Sequence, residues 1–300
     1  MNDLIRKIEK LKKEKNAVIV AHNYQPDAVQ EIADYVGDSF GLSKKAAELD
    51  EEVIVFCGVK FMAESAKTVA PGKTVLIPEI NAGCPMADMA DLETLRKFKE
   101  EHPDAAVVSY VNSSAAVKSE SDICCTSSNS VRVVESLDEQ KVIFLPDKNL
   151  GNYVSKNTDK EIIFWEGFCP THNRVSTADV DNMRREYPNA LLLVHPECRP
   201  EIVERADYIG STAGILNFAS ENEADKMIIG TEKGLFYRLE ADNPEKKFYL
   251  LSPGLICRNM KKTNLQKIAD SLENMETVIE LDEELRLKAE AALNKMLMIS

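Results

Sequence analysis

Three segments of this chain repeat one another at nearly constant spacing, and that repeat limits the fold more than any other feature. "KNAVIVAHNY" (15–24), "PDAAVVSYVN" (103–112) and "PNALLLVHPE" (188–197) each lead from a turn through an apolar strand into polar groups. Their offsets are 88 and 85 residues. The same register carries "ADYVGDS" (33–39), "SDICCTS" (121–127) and "ADYIGST" (206–212), which end on Ser39, Ser127 and Thr212. Lys60, Lys148 and Lys233 fall into line as well. Independent landmarks in one register make the chain a triplication, and the period is that of a small domain rather than a solenoid turn.

Within each unit, apolar strands alternate with helical patterns, the mark of parallel βαβ construction. In the first unit the pattern predicts strands near 17–22, 35–37, 53–57 and 74–78, and helices near 27–35, 39–49 and 61–69. "DLETLRKFKEEHP" and "DVDNMRREYP" read as helices leading into units two and three, as residues 3–15 lead into unit one. "DEELRLKAEAALNKMLM" reads as a closing amphipathic helix. We divide the chain at 1–84, 85–169 and 170–300, the last including the C-terminal helices.

Ligands of open parallel sheets bind beyond the carboxyl ends of the strands. The repeat puts His22, Tyr110 and His195 at one such position, and Tyr24, Asn112 and Glu197 at a second. Ser39, Ser127 and Thr212 share a third, where each reads as a helix N-cap. A helix N-terminus also offers free N–H groups to an anion, so this set suits a ligand with carboxylates or a phosphate. Three units around a pseudo-threefold axis would aim all nine residues at one central cavity. Glu197 and Tyr110 are candidates for proton transfer.

Seven cysteines stand in the chain, with no CxxC pair. Cys84, Cys169 and Cys257 follow Ser39, Ser127 and Thr212 by 45, 42 and 45 residues, one per unit. Cys57, Cys124, Cys125 and Cys198 have no such counterparts and read as small buried apolar residues. Three thiolates meeting on an axis make a metal site. His172, in "CPTH", would complete a closed structural zinc site. An iron–sulfur cluster on the same three cysteines would leave one iron open as a Lewis acid. Spacing does not choose between the two.

A formal charge of −13 argues against non-specific nucleic-acid binding. The amphipathic start "MNDLIRKIEKLKKEK" has no apolar signal core, no run reaches membrane-spanning length, and the cysteines are odd in number. The expectation is a soluble cytoplasmic protein with reduced thiols. Neither GxGxxG nor GxxxxGK[ST] occurs, so nothing supports a nucleotide cofactor.

"AHNYQ", "GDS", "FMAE", "CPMA", "YVNSSA", "HPEC", "ADYIGST" and "CRNMK" occur in this order between residues 15 and 262, and as a set resemble quinolinate synthases of the short form. The resemblance implies three homologous αβα-sandwich domains around a pseudo-threefold axis. It implies a [4Fe–4S] cluster on Cys84, Cys169 and Cys257 with one open iron. It also implies condensation of iminoaspartate with dihydroxyacetone phosphate to quinolinate, for NAD synthesis, with the imine supplied by another enzyme. The family's substrate-contacting positions match His22, Tyr24, Ser39, Tyr110, Asn112, Ser127, His195, Glu197 and Thr212. Under this reading Glu197 leads as general base, Tyr110 and His22 shuttle or orient protons, and His195 and Asn112 position substrate.

Overall fold

A computed structural model describes residues 2–299. Twelve parallel strands form three four-stranded sheets among the described residues. The first sheet holds β1 (Ala17–His22), β2 (Tyr35–Gly37), β3 (Val53–Cys57) and β4 (Thr74–Leu76). The second holds β5 (Ala105–Tyr110), β6 (Ile123–Cys125), β7 (Lys141–Leu145) and β8 (Glu161–Phe164). The third holds β9 (Leu191–Val194), β10 (Tyr208–Ile209), β11 (Lys226–Gly230) and β12 (Lys247–Leu250). Their orders are β2-β1-β3-β4, β6-β5-β7-β8 and β10-β9-β11-β12, one topology three times over.

The central strands read as continuous apolar runs because both of their faces are covered. In β1 and β3, Val18, Val20, Ile54 and Phe56 pack into one core, while Ile19, Ala21, Val53 and Val55 pack into another on the opposite face. Val108, Val142 and Phe144 oppose Val107, Ile143 and Leu145 in the second sheet. In the third, Leu192, Val194 and Ile228 oppose Leu193, Met227 and Ile229. Period-two alternation thus divides each unit into a helix–sheet–helix sandwich.

The triplication reaches single hydrogen bonds. Asp34 Oδ2 accepts from the Ile19 N–H at 2.8 Å, Asp122 Oδ2 from Val107 at 2.7 Å, and Asp207 Oδ2 from Leu192 at 2.7 Å. The short edge strands β2, β6 and β10 begin too late to satisfy these N–H groups, and a buried unpaired donor is costly. One aspartate just ahead of each edge strand supplies the acceptor.

The C-terminal segment returns to the first two units. The helix Leu265–Asn274 buries Ile268 and Leu272 with Ile8 of the first helix, Asn2–Glu14. Residues 277–279 then lie along β4, with the Ile77 N–H donating to Thr277 O at 3.0 Å and the Ile279 N–H to Val75 O at 2.8 Å. This covers an edge that would otherwise stay open. The last helix, Glu283–Met298, places Ala292, Leu293 and Met296 in the core of the second unit, and its Arg286 donates to Thr68 O in the first. No described helix is long and apolar enough to cross a membrane.

Candidate active site

The strands β1 and β5 end on His22 and Tyr110, and β9 runs directly into His195, so the repeat delivers all three to one place. Eight of the nine residues nominated for ligand contact line a single cavity of about 30 Å³: His22, Tyr24, Ser39, Tyr110, Ser127, His195, Glu197 and Thr212. Asn112, the ninth, adjoins it and donates from Nδ2 to Glu197 Oε1 at 3.3 Å. Bonds cross between units throughout. Asn23 Nδ2 donates to Thr212 Oγ1 at 3.0 Å, His195 Nε2 lies 3.2 Å from Ser127 Oγ, and the Tyr110 hydroxyl donates to Glu197 Oε1 at 2.8 Å.

The N-cap reading of the hydroxyl set is corrected. Ser39 and Thr212 are the first residues of their helices, and the capping side chains are their predecessors, Asp38 and Ser211, which accept from Gly41 and Gly214 N–H. Ser127 lies in the turn before the helix Ser130–Glu135, whose N-cap position is Asn129. With capping done by the neighbour, the Ser39 and Thr212 hydroxyls are left for other partners.

A larger cavity, about 280 Å³, lies against the first and is lined by Cys84, Cys169 and Cys257. Tyr24 and Glu197 line both. The triplication therefore does bring the three cysteines together, each half-buried. Their sulfurs do not all fall within 4.8 Å of one another. Burial pushes the Cys84 thiol up to about 12, with the nearby Cys257 adding to it, and burial raises Cys169 and Cys257 too. Cys57, Cys124, Cys125 and Cys198 are fully buried, as expected.

Glu197 is the hub. Its Oε2 lies 2.8 Å from His172 Nδ1, and its Oε1 takes the Tyr110 and Asn112 bonds. Burial alone would raise its pKa. Protonated His195 or His172 would lower it, and the hydrogen bonds from His172 and Tyr110 hold the carboxylate below its usual range. Tyr110 is shifted well up, by burial and then by Glu197, and stays a phenol. Burial lowers His22 to about 3 and His195 to about 4, so both imidazoles are neutral.

One residue of this network, Thr231, escaped the sequence. Thr231, fully buried, lies 2.6 Å from the Tyr24 hydroxyl and 2.9 Å from His172 Nε2. With Glu197 fixing a proton on Nδ1, His172 Nε2 accepts from the Thr231 hydroxyl, which accepts in turn from Tyr24. The result is one chain from Tyr24 through Thr231, His172 and Glu197 to Tyr110. Thr231 has Pro146 and Gly58 at its repeat positions, so the register carried no hint of it. His172 was legible as a histidine beside a repeat landmark and as a candidate zinc ligand, but not as a member of this hydrogen-bonded chain. Cys169, His172 and Glu197 also offer one ligand atom each within 4.8 Å of one another, close enough to hold a metal ion.

A model of the family described as "Quinolinate synthetase A protein" matches residues 6–298. The quinolinate synthase of Alkaliphilus metalliredigens (strain QYMF) is 55% identical over 298 residues, covering 99% of this chain and 98% of the relative. That of Caldicellulosiruptor bescii is 56% identical over 295 residues, 98% and 97% of the two chains. Quinolinate synthase 1 of Methanosarcina acetivorans is 53% identical over 297 residues, 99% and 98%. Matched end to end by the family and carrying its motifs around one shared pair of cavities, the chain belongs to the quinolinate synthase family.

Proposed function

We propose that this enzyme condenses iminoaspartate with dihydroxyacetone phosphate to quinolinate, releasing phosphate and water, as a cytoplasmic step towards NAD. Another enzyme must supply the imine, which water destroys. The observation that carries the reading is the pairing of cavities: three cysteines line one, the strand-end polar set lines the other, and Tyr24 and Glu197 belong to both.

The donor set suits a [4Fe–4S] cluster on Cys84, Cys169 and Cys257. A single tetrahedral zinc would need its sulfurs about 3.8 Å apart, given Zn–S bonds of about 2.3 Å. The three sulfurs here are not mutually that close. Buried thiols with raised pKa values also call for a cationic group to ionise them. When bound, such a cluster supplies a Lewis-acidic iron beside the substrate.

The protein's own residues divide the remaining work. Ser39 and Thr212 stand at the positive ends of ten-residue helices, and with Ser127 they receive carboxylate or phosphate groups. Asn112 Oδ1 is buried without a protein partner and can accept from a substrate N–H. Glu197, nominated from sequence as general base, works through His172. Its carboxylate fixes the imidazole tautomer and stabilises the cation formed when Nε2 takes a proton through Thr231. Tyr110, a buried phenol facing this carboxylate, gives its proton to the departing oxygen and recovers one from the His172 cation by way of Glu197. His22 and His195, both neutral, orient the substrate.

Anaerobic purification tests the proposal. About four irons and four sulfides per chain, with quinolinate formed from the two named substrates, are expected; Cys84→Ala should remove both. The Cys169, His172 and Glu197 group favours a second reading, one metal ion held there. A colourless protein with one tightly bound zinc after anaerobic handling would establish that reading and overturn the first.

A further inference from the structure

We infer that Asp147, Glu232 and Asn259 are positioning residues that aim Cys169, Cys257 and Cys84 at their common cavity. The inference rests on the reading that these cysteines hold a cluster. Each cysteine loop is first held by a repeated backbone bond. The N–H groups of Lys60, Lys148 and Lys233 donate to Ala82, Gly167 and Leu255 carbonyls at 2.8, 2.9 and 2.9 Å. Every acceptor lies two residues before its cysteine. That bond sets the loop against its sheet but leaves the peptide entering the cysteine free to turn.

A side chain then fixes that peptide. The residues preceding the three lysines are Val59, Asp147 and Glu232. Asp147 Oδ2 accepts from the Cys169 N–H at 3.1 Å, while its Oδ1 caps the helix Lys148–Ser155 through Asn149 and Leu150 N–H. Glu232 Oε1 accepts from the Cys257 N–H at 3.0 Å, and its Oε2 takes the Gly234 N–H and Lys261 Nζ. Both carboxylates are fully buried. Val59 cannot accept a hydrogen bond, and the first unit is served from across the cavity instead. Asn259, two residues beyond Cys257, donates from Nδ2 to the Gly83 carbonyl at 2.8 Å. That carbonyl belongs to the peptide entering Cys84.

Each entering peptide is therefore pinned once by a side chain, at its N–H in two units and at its C=O in the first. A fixed peptide plane fixes the Cα–Cβ direction of the cysteine, which is how outer residues orient ligands and tune a metal group. The first corner differs in depending on a contact made by the third unit.

The test uses holoenzyme purified anaerobically. Iron and sulfide in the wild type come first: if neither is bound, the cluster reading itself has failed. With a cluster present, Asp147→Asn, Glu232→Gln and Asn259→Ala are compared for iron release to a ferrous chelator and for the electron paramagnetic resonance of the reduced cluster. Release about tenfold faster or more, with altered spectra and unchanged circular dichroism, is expected for each. Lys262→Ala is the control. It removes the Lys262 bond to Asn81 O in the same loop as Cys84 but away from the entering peptide, and should change neither readout. Wild-type release and spectra in the three variants, or equal changes in the control, would overturn the inference. Asn259 is half-buried, so its variant decides the matter if the buried substitutions do not fold.

Discussion

Glu197 accepts hydrogen bonds at both oxygens, from Tyr110 and Asn112 on one side and His172 on the other. Replacing it with Gln presents an N–H where His172 or Tyr110 now donates, so the imidazole loses its tautomer and the phenol its acceptor. Glu197→Gln should lower kcat about a hundred- to ten-thousandfold. Iron content should stay that of the wild type, measured by steady-state kinetics alongside metal analysis. The buried imidazoles make a separate prediction. His22 and His195 are lowered to about 3 and about 4, so between those values and an unfolded pKa near 6.5 the unfolded chain binds more protons. Stability is therefore full above about pH 6.5 and falls as pH drops towards 4, by about 1.4 kcal/mol per pH unit for each imidazole. Urea unfolding at a series of pH values should show this slope, and His22→Gln should reduce it by about half.

At the scale of elements, much was readable because duplication repeats the evidence. β1, β2 and β3 fall at the predicted residues, and β4 ends at Leu76, two residues short. The nominated strand-end residues converge because one register serves three sheets of one topology. What the register could not reveal were groups without repeat partners: Thr231, and the bonds that make His172 part of a proton path. Capping failed for a different reason. Asp38–Ser39 and Ser211–Thr212 are adjacent pairs of capping residues, and composition does not say which member precedes the first helical turn. The aspartates ahead of the edge strands show the repeat working as structure. Asp122→Ala would strand the buried Val107 N–H and should cost about 1–3 kcal/mol in chemical denaturation. The site lies at the other end of β5, so kcat at low temperature should change less than twofold.

For the whole molecule, chain order and spatial order part company after residue 258. The C-terminal helices, which the division by sequence counts with the third unit, pack on the first and second, which no local pattern could announce. They bind those two units into one block. Glu64 adds to this by accepting from the Ala115 N–H across their interface at 2.9 Å. At the equivalent places on the third unit's borders the structure has open clefts instead. One, about 430 Å³, lies beside Lys148 and Pro200, and the other, about 420 Å³, beside Lys233 and Asp27. The two borders are not equally adaptable: at Gly234 a Cβ would stand 2.8 Å from Tyr24 backbone, so the third unit needs a glycine to meet the first this closely. The central cavity of about 30 Å³ holds about one water. An occupant larger than a water needs that cavity to widen, and the prediction is that the third unit, flanked by the two clefts, is the one that moves. Labels on the exposed residues Glu48, Lys97 and Glu221, attached by chemistry that spares thiols, report on units one, two and three. The Glu48–Lys97 distance should stay narrow and constant. Both distances to Glu221 should broaden in the free enzyme and contract when a substrate analogue binds. A Glu48–Lys97 distance that changes as much as the other two would show that the C-terminal helices do not hold the first two units together.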